Sequence, residues 1–200
     1  AGLGAALIFS ALGCASASTQ IISSTPRAQT TNQYQSSQYD IGSFAGQDIW
    51  VNPTAGNDAN NGSDRLNAVR SIAQAWRLIP SDQTLTTCYR IRLTAGTYSQ
   101  SSSPNYWENR FGTSENPIIM EAVDGPHTAI MSADINMYDV RSFYLIGVDI
   151  IRDGDAFHCE LCDHILIRDS ERSGGNGAHE TIKVNQSQHI YIENSDIHGA

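Results

Sequence analysis

The sequence predicts an all-β fold: a parallel β-helix, or solenoid, with one amphipathic cap helix near its N-terminus. The first observation is an internal repeat. Residues 153–164 read DGDAFHCELCDH and run on through HILIRDSERSGG, while residues 178–189 read AHETIKVNQSQH and run on through HIYIENSDIHGA. The offset of 25 residues pairs His164 with His189, Ile165 with Ile190, Ile167 with Ile192, Ser170 with Ser195 and Gly174 with Gly199. It also pairs Asp155 with Glu180, Phe157 with Ile182 and Cys159 with Val184. A weaker copy, Phe143 to Ile150, precedes these at a shorter offset. A period of this size, built of short strands with no helix inside it, is one coil of a solenoid, stacked about 4.8 Å above the last. The second observation is a series of short alternating or apolar runs closed by turn residues. The third is a single helical pattern among those strands.

The chain opens with AGLGAALIFSALGCASAS, an apolar run followed by small residues. It is too short for a stable membrane span and has the look of a signal peptide, so residues 1–17 are expected to direct export. Two processing positions fit. Cleavage after Ala15-Ser16-Ala17 would release a soluble chain from Ser18. Alternatively, Ala11-Leu12-Gly13-Cys14 resembles a lipobox, with Ala11 where Leu is usual, and would leave Cys14 lipidated. The protein is thus expected to be secreted or lipid-anchored outside the cell. Residues 18–46 are rich in Ser, Thr and Gln, lack hydrophobic periodicity and read as a linker.

Residues 47–200 are the solenoid domain. Order begins at Asp48-Ile49-Trp50-Val51, followed by the turn-rich loop GNDANNGSD, Gly56 to Asp64. Across 68–80, Val69, Ile72, Ala73, Trp76 and Ile79 fall on one helical face, and Pro80 stops the helix. Such a helix would cover the open end of a coil stack. Tyr89 to Leu93 alternates as a strand and turns at Thr94-Ala95-Gly96; residues 98–115 read as a surface loop; Pro117 to Ala122 is a further strand. The repeat is interrupted at Gly199-Ala200, so more coils are expected beyond it.

The formal net charge is −9, from Lys+Arg 12 against Asp+Glu 21. That balance argues against nucleic acid, whose affinity comes from basic side chains neutralising phosphates, and against an anionic membrane surface. It is compatible with a polysaccharide, including an anionic one met by a local basic strip or bound calcium. Of the four cysteines, Cys14, Cys88, Cys159 and Cys162, the last two form a lone C-x-x-C. Without a second pair it does not make a structural zinc site. An exported protein could oxidise it; the simpler reading is a core Cys159 and a Cys162 at a turn.

Ile49-Trp50-Val51-Asn52-Pro53, Gly56-Asn57-Asp58, Gly62 and Ser71 to Ala75 resemble the opening segment of secreted right-handed parallel β-helix proteins. Ile91 to Tyr98 and Asn116 to Ile119 resemble the segments that follow in the same group, which includes many pectate lyase-like proteins. The resemblance covers residues 48–200. It implies a right-handed parallel β-helix, and it bears on fold far more than on activity, because the matched residues serve turns and core.

Strand alternation assigns the outward side chains. With Phe157, Cys159, Ile182 and Val184 pointing in, His158, Glu160, Thr181, Lys183 and Asn185 point out. The 25-residue offset then sets His158 beside Lys183 and Glu160 beside Asn185 on one outer face. Lyases on this fold take the C5 proton of a uronate with a Lys or Arg, helped by a cation on the carboxylate. Lys183, the only lysine, resembles such a base, with His158 as its catalytic neighbour and Glu160 and Asn185 as substrate-binding residues. Asp153, Asp155 and Glu180 serve either as turn caps or as ligands for calcium, which needs six to eight oxygens. The expected function is cleavage of a uronate-containing polysaccharide by β-elimination. Two alternatives stay open: a non-catalytic surface or carbohydrate-binding protein, and a glycoside hydrolase using a carboxylate pair from Asp153, Asp155, Asp169, Glu171 and Glu180.

Overall fold

The computed structural model describes residues 38–174 and 180–199. The expected signal segment, Cys14 and Ser18, and the linker up to residue 37 lie outside the described residues. In chain order the elements are β1 (Gly46–Val51), α1 (Ile72–Arg77), β2 (Cys88–Leu93), β3 (Gly96–Ser99), β4 (Trp107–Phe111), β5 (Ile118–Ala122), β6 (Ala129–Ser132) and β7 (Ile135–Ile146). Then come β8 (Val148–Ile151), β9 (Phe157–Glu160), β10 (Asp163–Arg168), β11 (Glu171–Ser173), β12 (Ile182–Asn185), β13 (Gln188–Glu193) and β14 (Asp196–His198).

Every strand pairing is parallel. A nine-stranded sheet holds the ladder β1-β2-β5-β7-β10-β13, with β4, β9 and β12 branching from the long strand β7; a five-stranded sheet holds β3-β6-β8-β11-β14. Three parallel ladders with one short strand per coil in each are compatible with a β-solenoid. Parallel ladders bury their faces, which is why the inward runs are nearly all Ile, Leu, Val, Met and Phe.

The repeat pairs as its offset requires. Ile165 lies opposite Ile190 and Ile167 opposite Ile192, and one coil earlier the same columns hold Phe143 and Leu145. The second column runs Ile49, Ile91, Met120, Leu145, Ile167, Ile192. Its members from Ile49 to Ile167 are fully buried, whereas Ile192, on the last described coil, is 41% exposed. Val184 and Ile197 of that coil are similarly exposed.

The coils bend at residues in the left-handed region. Asp139, Leu161 and Gln186 have φ of 47°, 56° and 48°; Ser142, His164 and His189 have 49°, 55° and 53°. Strand register places each set in one column along the stack. A left-handed residue inside a strand breaks the pleat and turns the chain, so a repeated one makes an aligned corner. This also bends β7 across two faces.

The helix is shorter than the expected 68–80. Val69 forms a parallel bridge to Val51, and the Ala68 carbonyl accepts from Asn57 N, so the first residues extend the sheet instead. Strand pairing satisfies backbone groups that a helix start would leave open. The helix begins at Ser71, whose Oγ accepts from Gln74 N at 3.0 Å and donates to Asp58 Oδ2 at 2.8 Å. Asp58 Oδ1 also accepts from the backbone N–H groups of Arg70 and Ser71, both at 2.8 Å. The turn preceding it needs Gly56, because a Cβ there would meet Val69 O at 2.2 Å.

Partial burial pushes the Asp58 carboxyl up, but the Ser71 and Arg70 hydrogen bonds outweigh this and hold it below its ordinary 3.8. Because the folded value is lowered, the stabilisation is complete above the unfolded value and is lost as pH falls through the folded one. Asp58→Ala is therefore expected to cost about 1 kcal/mol near neutral pH, the size of a lost cap on a solvent-exposed group. Urea titrations at falling pH should show the gap from wild type closing below about pH 4.

Residues 98–115, expected as a surface loop, carry β3's last two residues and β4. Trp107 of β4 is fully buried and packs edge-on to Trp76 of α1 at 5.0 Å and to Phe143 at 6.2 Å. A single inward tryptophan carries this strand, too little apolar pattern to mark it in sequence.

A second apolar cluster sits outside the first ladder. Cys88, Ile119, Tyr144 and Leu166 are buried there beneath Tyr39, Ile41 and Phe44. Tyr39 also touches Tyr191, with ring centroids 4.5 Å apart, and its N–H donates to Glu193 at 2.6 Å. Residues 39–44, inside the span read as linker, thus lie along this outer face. Among the described residues no helix is long and apolar enough to cross a membrane.

Candidate functional site

The ladder β4-β7-β9-β12 presents its outer face through alternation. Its register aligns Asn136, His158 and Lys183 in one column and Tyr138, Glu160 and Asn185 in the next. Phe157 and Cys159 are fully buried behind them, so His158 and Glu160 point outward, each half-buried. The structure thus brings together the four residues His158, Glu160, Lys183 and Asn185. It adds Asn136 and an exposed Tyr138 from the coil before, which the 25-residue repeat does not mark because that coil is offset by 22 residues (Asn136 to His158).

His158 is held between two amides. Its Nδ1 meets Asn136 Oδ1 at 3.1 Å and its Nε2 meets Asn185 Nδ2 at 3.2 Å. With the amides placed this way, Nδ1 faces an acceptor oxygen and Nε2 faces a donor nitrogen. Lys183 Nζ lies 3.3 Å from Glu180 Oε1, both side chains well exposed. In the acidic trio, Asp155 Oδ1 accepts from Glu180 N at 3.2 Å, and the Glu180 carboxylate turns toward Lys183.

One cluster of metal-binding character does occur among the described residues, at Asp163, His164 and His189. Asp163 Oδ1 lies 2.9 Å from His164 Nδ1 and 2.7 Å from His189 Nδ1. Burial raises the Asp163 carboxyl, but the His189 hydrogen bond and both imidazoles outweigh it and the net shift is downward. The pairing of His164 with His189 was visible in the repeat; the carboxylate between them was not.

The C-x-x-C is interior. Cys159 and Cys162 are both buried as free thiols. A hydrogen bond to Cys159, together with burial, pushes the Cys162 thiol strongly up. Two surface clefts lie away from the outer columns, one between residues 41–44 and Arg90, Arg92 and Glu121, the other beside Arg70, Ser71 and Ser99. No protein-family model, characterised protein or solved structure matches this chain.

Proposed function

We propose that the chain is a right-handed parallel β-helix, end-covered by α1, that engages a uronate-containing polysaccharide along the β4-β7-β9-β12 face and cleaves it by β-elimination. Right-handedness is the hand taken by nearly all parallel strand crossovers. The observation that carries the functional reading is the alignment of Asn136, His158 and Lys183 beside Tyr138, Glu160 and Asn185 on a single outward surface. An extended face with an exposed aromatic ring and several hydrogen-bonding side chains suits a polymer better than a small ligand, which prefers a closed pocket.

In this reading the Lys183 amine takes the C5 proton. The C–H electrons form the C4–C5 double bond, and the C4–O bond breaks with its electrons going to the sugar oxygen, which takes a proton from water. The ion pair with Glu180 must open and the ammonium must give a proton to water first, so substrate has to displace that carboxylate. Asn185 and Glu160 bind sugar hydroxyls, and His158 is the neighbour held in place by the two amides.

The test is ultraviolet detection of unsaturated uronate, with the full chain and pectate, alginate or a glycosaminoglycan. Lys183→Ala is expected to lower turnover about a hundredfold, the typical worth of a positioned base. Activity retained in that variant would remove Lys183 from the mechanism. A second reading, carbohydrate binding without cleavage, is favoured by the closed state of His158 and by the Lys183–Glu180 pair. It predicts polymer binding that Tyr138→Ala weakens, with no product from wild type.

A further inference from the structure

We propose that Asp163, His164 and His189 form a binding site for a borderline divalent transition-metal ion, zinc(II) first, which clamps two successive coils at one corner of the stack.

The corner geometry builds the site. Asp163 opens β10 opposite Gln188 of β13, so the residues that follow them, His164 and His189, are neighbours along the stack. Both adopt left-handed φ, 55° and 53°, which takes them out of the pleat and turns both side chains to the outside. Their rings stack with centroids 4.3 Å apart and 29° between planes. Both Nδ1 atoms converge on one carboxylate oxygen, and the three donor atoms lie within 4.8 Å of one another. In the coil before, the same column holds Ser142, so that coil adds no imidazole or carboxylate to the set.

The donor chemistry selects the ion. Two imidazole nitrogens and one carboxylate oxygen suit zinc, copper or nickel, whereas calcium and magnesium take oxygen alone. Bonds of about 2.0–2.1 Å in a tetrahedron place neighbouring donors about 3.3 Å apart. The present nitrogen–oxygen distances, 2.9 and 2.7 Å, need to open by about 0.4 and 0.6 Å. The side chains are 31–48% exposed, which leaves room for that movement and for water as a fourth ligand. Arg141, opposite Asp163 one coil earlier, is engaged elsewhere: it pairs with Asp139 at 3.0 Å and lies over the Phe111 ring.

The experiment is calorimetric titration of the full chain with zinc chloride, with cobalt(II) as a spectroscopic probe. The variants are His164→Asn and His189→Asn, since asparagine tolerates left-handed φ and keeps the corner. Asp163→Asn and the controls His127→Asn and His158→Asn complete the set. Wild type is expected to bind one zinc equivalent that each single cluster variant weakens at least tenfold and the double histidine variant abolishes. The controls should bind as wild type. The visible cobalt(II) absorption should vanish in the double variant, and its metal-free circular dichroism spectrum should match wild type, which separates ligand loss from unfolding. Zinc binding equal in wild type and the double variant, or no saturable binding by wild type, would overturn the site and leave the cluster as a carboxylate accepting two imidazole hydrogen bonds.

Discussion

Replacing Ile167 with aspartate is expected to destabilise the fold by on the order of 5 kcal/mol. Ile167 is fully buried between Leu145 and Ile192, so a carboxylate there meets only apolar neighbours. It must either stay charged without a partner or take up a proton, and in both cases the packing of the side chain is lost. Urea unfolding measures the loss. A cost within about 0.5 kcal/mol of wild type, typical of a surface substitution, would mean that this column is not core.

Trp107→Ala is expected to cost about 4 kcal/mol, and Trp107→Phe about 1–2 kcal/mol. The indole is fully buried in the aromatic cluster with Trp76 and Phe143. Alanine removes nearly all of that contact and leaves a cavity between α1 and β7, which the stacked strands on either side restrain from collapsing. Phenylalanine retains most of the apolar area and also deletes Trp107 Nε1–H, a buried donor with no hydrogen-bond partner among the described residues. Losing an unsatisfied donor offsets part of the packing loss. Denaturation followed by circular dichroism tests the order of the two variants; a phenylalanine as costly as alanine would show that the indole's full width is what the cluster needs.

The structure also limits the candidate site. Lys183 and His158 lie on one face as the alternation requires, yet each is already engaged, Lys183 by Glu180 and His158 by two amides. Residue types and spacing place side chains on a face. They do not say which neighbours those side chains choose once there, because that choice depends on separations of a few tenths of an ångström.

The alignment of the two most regular coils is legible in the amino-acid sequence alone. Parallel stacking turns a constant sequence offset into a spatial contact, so a 25-residue repeat is enough to set Ile165 on Ile190, His158 on Lys183 and Glu160 on Asn185. Earlier coils have unequal lengths: β1 pairs with β2 at an offset of 42 (Gly46 to Cys88) and β2 with β5 at 29 (Tyr89 to Ile118). Without a constant period there was no signal for β4, for the inward turn of Trp107 or for Val69 joining the sheet. Residues 39–44 form no part of any repeat, and only the apolar outer surface made by Ile119, Tyr144 and Leu166 gives Tyr39, Ile41 and Phe44 something to bury against. The corners follow the same logic. Left-handed φ at Ser142, Leu161, His164 and Gln186 is not a property of those residue types; it is imposed where each coil must bend in register with the next. That imposed bend, and not the local sequence, directs His164 and His189 onto the oxygen of Asp163.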